Sequence, residues 1–255
     1  FILGPALGGI FGLISYTAPI WVAAALTLVA TVIAWLWLPE TVHRGQAAGR
    51  SALRVLPELL MRPGLRVLLG ANLLYWTAFA IYQTTFALFG EMRFHFDLTE
   101  TGYFLAGFGL IGVIVQVTMI GPIVKRFSER WVLIIGLFCG ALGMAAATWT
   151  YSVWWFAVTL IPAALGVGLC NPALLSMLSR AASADEQGRV QGASSALSSL
   201  GRTIGPVWGN GALERFSEAT AYESAALILV LAAVFAYIYR PFSEPSRDVA
   251  TPVGR

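Results

Sequence analysis

Arg202 stands 13 positions beyond Arg189, and no other charge lies between them. On a helix rising about 1.5 Å per residue it is roughly 20 Å from that basic end. A charge at such depth in an apolar segment normally faces a bundle interior or a watery cavity. Gln191, Ser195, Ser198 and Arg202 recur at spacings of three and four, so a helix places them on one polar stripe. That stripe offers a solute hydrogen bonds and one positive charge. The alternatives are that Arg202 snorkels to the interface or pairs with another helix. A second stripe holds Asn72, Tyr75, Trp76, Phe79 and Gln83, amide and aromatic groups that suit an amphipathic organic molecule or simply pack helix on helix. Gln116 and Asn171 are further single polar residues within apolar runs. Neither Asp nor Glu lies near the middle of any such run, so no proton-carrying carboxylate is visible. There is no HExxH, GxSxG or phosphate-binding loop, and His43 and His95 have no metal partners nearby. The reading is therefore not an enzyme, with no catalytic residues, no metal and no bound cofactor.

The elements that must position these residues follow from composition. The chain is 58% hydrophobic and 11% charged, with a mean hydropathy of +0.74, whereas a soluble domain has about 25% charged residues. Runs long enough to cross the hydrocarbon core are predicted at 1–17, 20–38, 66–89, 100–123, 131–149, 153–175, 190–211 and 222–239. They are too long and too uniformly apolar for the alternating strands of a barrel. The fold class is thus all-α integral membrane, a helical bundle of about eight spans embedded in a lipid bilayer. Cys139 and Cys170 fall inside apolar runs and read as small buried hydrophobes. The net charge of +3 is dispersed among short loops and builds no continuous basic face for nucleic acid.

Loop charges predict orientation, because Lys and Arg near helix ends favour the cytoplasmic side. Thirteen of the 16 basic residues fall in one set of loops: Arg44, Arg50, Arg54, Arg62, Arg66, Lys125, Arg126, Arg130, Arg180, Arg189, Arg240, Arg247 and Arg255. The opposite loops hold Arg93 and Arg215 beside Glu91, Asp97, Glu100, Glu214, Glu218 and Glu223. The expectation is a multi-pass protein of the cell (inner) membrane with its C-terminus in the cytoplasm. Trp21, Trp35, Trp37, Trp131, Trp149, Trp154 and Trp155 sit at predicted span ends, as interfacial anchors do.

"FILGPALGGI" at the start and "TIGPVWGNGA" later carry the same signature 201 positions apart, with "WLPE" and "YRPF" marking the next exits. Internal repeats of six helices are a mark of transporter folds. The expected organisation is 1–38 as the last two helices of an N-terminal half, 39–65 as an interior linker with a short amphipathic helix near 51–61, 66–240 as a six-helix C-terminal half, and 241–255 as a disordered tail. Four helices and part of a fifth are then expected to precede Phe1, making the N-terminal helices of the same protein the chain's partner. Proline removes a helical hydrogen bond and bends the helix, while glycines four apart let a neighbour approach. Gly4, Pro5, Gly8 and Gly9, and again Gly205, Pro206 and Gly209, are therefore expected to act as conformational hinges. Gly8/Gly12, Gly136/Gly140, Gly188/Gly192 and Gly201/Gly205/Gly209 share the close-packing spacing.

These residues also carry a resemblance. "LGPALGG" resembles the fifth-helix antiporter motif of the major facilitator superfamily, and "GPIVKRFSER", with Gly121, Lys125, Arg126 and Arg130, resembles the second copy of its short cytoplasmic-loop motif. The superfamily pattern has an acidic residue where Lys125 stands and a glycine where Ser128 stands, so a gating salt bridge is not carried over. "LPET", Gln116 in "IGVIVQ" and "GRVQGASSALSSLGRTIGP" are similar to the tetracycline-resistance-type branch of drug:proton antiporters. The resemblance implies a secondary active transporter exporting drug-like or other small organic substrates by alternating access, with the proton as coupling ion. Proton-coupled metabolite uptake, or a non-transporting membrane fragment acting as an interaction module, are the other readings.

Overall fold

A computed structural model describes residues 17–37, 52–183 and 186–239, together with positions 11 and 15. Nine helices occupy them: α1 (Ala18–Trp37), α2 (Ala52–Leu60), α3 (Pro63–Phe94), α4 (Leu98–Thr118), α5 (Ile120–Arg126), α6 (Glu129–Thr148), α7 (Val153–Arg180), α8 (Gln187–Arg215) and α9 (Glu218–Ile238). The helices α1, α3, α4, α6, α7 and α9 are long and apolar enough to cross a bilayer. Helix α8 has the length, with 29 residues, but its Gln, Ser, Gly and Arg face lowers its apolarity. That is the expected profile of a span whose one side faces a watery space.

Several spans exceed their sequence-based bounds, because helices run past the hydrocarbon core into the rims. Helix α3 covers 32 residues where 66–89 was expected. It begins with Pro63 in the first turn, where a missing N–H costs nothing. It ends at His95, a left-handed cap residue (φ 59°) whose N–H bonds the Glu91 carbonyl. Asp97 and Glu100 then form a reciprocal capping box that starts α4. The run expected at 100–123 is not one helix. It breaks at Met119 into α4 and α5, because Pro122 lacks the N–H that would bond the Thr118 carbonyl and its ring crowds that group. The short helix expected near 51–61 is α2. Residues 1–10, most of 12–16, 38–51 and 240–255 lie outside the described residues, and with them Gly4, Pro5, Gly8, Gly9 and the tail expectation.

Helix α3 is central, packed along both α8 and α9, while α6 packs against α7 and α9, and α4 lies on α7. Helix α1 contributes no buried residue. Close approach is set by glycines. A Cβ on Gly166 of α7 would stand 2.7 Å from the Cα of Gly140 in α6, and one on Gly205 of α8 would stand 2.8 Å from the Thr77 carbonyl of α3. The pair Gly188/Gly192 differs from expectation, since nothing among the described residues lies within 4 Å of a Cβ at either.

The two ends of the bundle are held differently. At the acidic end Tyr82, Phe86, Phe89, Phe96, Phe104, Phe156 and Tyr222 form a continuous aromatic cluster, with Phe89 and Tyr222 stacked at 4.3 Å. Arg93 closes it: its Nε lies 3.3 Å from Glu218, it donates to the carbonyls of Thr148 and Thr150, and its guanidinium lies over Tyr151 at 4.9 Å. At the basic end, Arg62 makes a bidentate pair with Glu186 at 2.8 and 2.7 Å, and Arg189 pairs with Glu58 at 2.8 Å. Arg62 thereby holds the Glu186 carboxyl down at about 2, aided by a hydrogen bond from Ser183. Arg130 donates to the last carbonyls of α9, Ala236 and Tyr237, where a cation complements the helix dipole.

Candidate functional site

The polar stripe of α8 meets α3 and α7 around a cavity of ≈280 Å³. Helical period alone sets Gln191, Ser195, Ser198 and Arg202 on one side of α8, and all four line the cavity. Asn72 and Trp76, one turn apart on α3, form a second wall. Asn171 and, on the same face of α7, Leu174, Leu175 and Leu178 form the third. Ser194 and Ser199 complete the lining.

Asn72 fixes the joint between the first two walls. It is 3% exposed, and its side-chain amide donates to the Ser194 carbonyl at 3.1 Å and to Ser198 Oγ at 3.0 Å. Ser198 in turn donates to that same carbonyl at 2.8 Å. Both amide hydrogens are used, so Asn72 sets the register of α3 against α8. Interhelical hydrogen bonds in a membrane contribute about 1–2 kcal/mol at most.

Arg202 is the single charged residue of the lining. Its guanidinium carbon sits 3.9 Å from the Trp76 ring centroid, over its face. A cation placed there is attracted by the ring quadrupole, by about 0.5–1 kcal/mol at an exposed site such as this one. Among the described residues Arg202 makes no ion pair and no hydrogen bond. Four residues further on, Pro206 has no N–H for the Arg202 carbonyl, so the backbone is also short of its ordinary helical partner there. Helix α8 nevertheless runs unbroken through Pro206.

The remaining expected residues lie elsewhere. Tyr75, next to Trp76, turns about 100° round the helix and is 2% exposed against Gly136, Gly140 and Cys170. Gln83 is exposed two turns beyond Trp76, and Gln116 is exposed on α4. Gly121 and Arg126 lie on the exposed surface of α5, whereas Arg130 binds α9. Gly205 and Gly209 are buried against α3.

Sequence reasoning missed Ser194, Ser199 and the three leucines. Leu174, Leu175 and Leu178 follow Asn171 at three, four and seven residues, a spacing that marks one face. Ser199 is eight residues beyond Gln191. Sequence places Arg93 only as a loop charge; nothing local in "GEMRFHF" signals its two carbonyl acceptors or its pair with Glu218.

A wider crevice of ≈1300 Å³ opens at the basic end, bordered by Arg62, Glu129, Arg130, Trp131, Arg180 and Tyr239. Its charges are already engaged: Arg62 on Glu186, Arg130 on α9 carbonyls, and Arg180 on Glu129 at 3.3 Å. Among the described residues no group of His, Cys, Asp and Glu fits a metal ion.

The family model described as "Major Facilitator Superfamily" matches residues 1–120 and 94–255. A class G tetracycline resistance protein of Vibrio anguillarum is 34% identical over 212 residues, covering 81% of this chain and 53% of the relative. A class C tetracycline resistance protein of Escherichia coli is 32% identical over 214 residues, with coverage of 81% and 53%. The human organic anion transporter MFSD10 (TETRAN) has a similar structure, with a TM-score of 0.72 at 19% identity over 87% of this chain and 57% of that one. That likeness shows the fold alone. The chain spans about half the length of the curated relatives it matches.

Proposed function

The chain belongs to the Major Facilitator Superfamily, a family of multi-pass membrane transporters rather than enzymes, and we propose that the protein it forms part of is a secondary active exporter of small organic molecules. The observation that carries the proposal is a cavity inside a membrane bundle, walled by amides, hydroxyls and leucines, with one charge held on an indole. Such a lining binds and orients a solute and offers no group for covalent chemistry. Drug export is favoured over uptake by the similarity to tetracycline resistance proteins.

In this reading the α3–α7–α8 cavity is one wall of a site that the N-terminal half of the protein completes. The two halves rock so that the site opens to each side of the membrane in turn. The basic rim lies in the cytoplasm, by the loop-charge rule. Downhill proton movement drives export. Among the described residues no carboxylate lines the cavity, and this reading assigns the proton-carrying acid to the other half.

Full-length protein in proteoliposomes of known orientation tests this. A proton gradient of the correct sign drives a fluorescent tetracycline out of the cytoplasmic-side compartment, and Arg202→Ala lowers the initial rate at least tenfold without reducing reconstituted protein. Movement in the opposite direction under the same gradient makes the protein an importer. Unchanged flux in the variant removes Arg202 from the site.

A further inference from the structure

We propose that the cavity selects organic anions: a carboxylate docks on Arg202 while the hydrocarbon body of the ligand lies against Leu175 of α7. The inference rests on the transporter reading and adds a substrate class to it.

Three observations carry it. First, Arg202 is exposed to the cavity and, among the described residues, is the lining's one charged side chain. Its guanidinium carries the positive charge of this wall. Second, the partner of Arg202 is the Trp76 ring at 3.9 Å. That contact engages the charge and provides no lone pair in return. The five N–H donors are left without an acceptor among the described residues and face the open cavity, where a ligand that supplies acceptors takes the place of water. A carboxylate matches the guanidinium fork with two parallel hydrogen bonds.

Third, the indole limits where the guanidinium can go. Asn72, one turn before Trp76, is bonded to two atoms of α8, so the helices that carry the ring and the arginine are locked in register. The cation is therefore held ready before ligand arrives, and less side-chain freedom is lost on binding. On the α7 wall of the cavity Leu175, 54% exposed, offers an apolar surface, while Leu174 and Leu178 are buried. A ligand spanning the site needs one anionic end and one apolar end. A cationic ligand meets the same arginine as a like charge, which opposes its binding.

Three probes of nearly equal shape test the assignment: 2-naphthoate, 2-naphthamide and 2-naphthylmethylammonium. Their dissociation constants are measured by calorimetry on the purified full-length protein at neutral pH. The expected result is that naphthoate binds at least tenfold more tightly than the amide, and the ammonium more weakly than either. Arg202→Gln abolishes the preference for naphthoate while leaving the amide within about threefold of its original value; Arg202→Lys keeps part of it. Trp76→Leu weakens naphthoate more than the amide, and Trp76→Phe less so. Equal binding of the three probes, failure of all three to bind, or an equal loss for all three in Arg202→Gln overturns the proposal. The last outcome marks Arg202 as structural. Flux in proteoliposomes is scored separately. Anion-selective binding without gradient-driven movement refutes the transport reading and leaves this one standing, whereas gradient-driven movement that ignores ligand charge does the reverse.

Discussion

The seam between α6 and α7 and the seam between α3 and α8 are built from the same sequence device, glycines four residues apart, and they do different work. In the first, Gly136, Gly140 and Gly143 lie against Cys170, Gly166 and Ala163, with backbone atoms of α7 within 4 Å of a Cβ at each. Beside these glycines the polar crossing is a weak contact of Cys170 Sγ with the Leu133 carbonyl at 3.9 Å; the stronger ones, Ser176 donating to Glu129 at 2.7 Å and Arg180 paired with Glu129, lie at the basic rim. In the second, Gly201, Gly205 and Gly209 lie on Leu73, Thr77, Ala80 and Ile81, and on the basic side of these contacts the helices are joined by Asn72 and part to form the cavity. Small residues determine that two helices can touch. Whether the seam is a dry anchor or the edge of a binding site depends on the polar residues beside them.

The sharpest way to break that contrast is Gly166→Val. Its added atoms would meet only backbone of α6, which has no rotamer to give, so overpacking costs more than about 3 kcal/mol. The expected result is loss of the monodisperse peak in size-exclusion chromatography, while Gly192→Val, with open space around it, leaves the peak intact. If both variants behave alike, the glycine seam is not what holds α6 to α7.

Asn72→Ala is next in size. It removes both bonds from α3 to α8 and is expected to destabilise by roughly 1–2 kcal/mol, read as a lower midpoint of thermal unfolding in detergent. It also lowers ligand affinity, because Trp76 and Arg202 lose their register. Cys170→Ala, which removes the weak polar contact beside the glycines of the other seam, is expected to shift the midpoint by less than half as much.

The basic rim gives a smaller effect with a sign fixed by pH. The Glu186 carboxyl is held at about 2, below its ordinary 4.5. Its pair with Arg62 therefore contributes fully above about pH 4.5 and fades as pH falls toward 2. As a surface pair it is worth less than about 1 kcal/mol. The difference in unfolding midpoint between wild type and Glu186→Gln is expected to be constant from pH 7 to 5 and to shrink below that. A difference that grows on acidification reverses the assignment.

Gly192→Ala is the smallest change. With no neighbour to strike, alanine's better helix propensity is expected to stabilise α8 by less than about 1 kcal/mol, measured by the same thermal scan. A marked loss of stability would mean that this face, open among the described residues, is covered by another part of the protein.

Much of the bundle was readable from the chain alone, because a lipid solvent demands long apolar runs and forces every backbone group into a helix. The stripe Gln191, Ser195, Ser198 and Arg202 needed nothing further: four residues on one helix stay on one side whatever surrounds them. The same rule could not choose between Tyr75 and Trp76. Neighbours in sequence point about 100° apart, and only the tertiary arrangement, with residues of α6 and α7 beside Tyr75 and α8 beside Trp76, sends Tyr75 into the core and Trp76 under Arg202. Asn72 meeting Ser194 across 122 residues, and Arg93 gathering three partners from α6, α9 and the loop before α7, were likewise decided by tertiary structure. Periodicity is a property of one helix, whereas a cavity is a property of the angle and distance between helices, and those are set by contacts that no single segment contains.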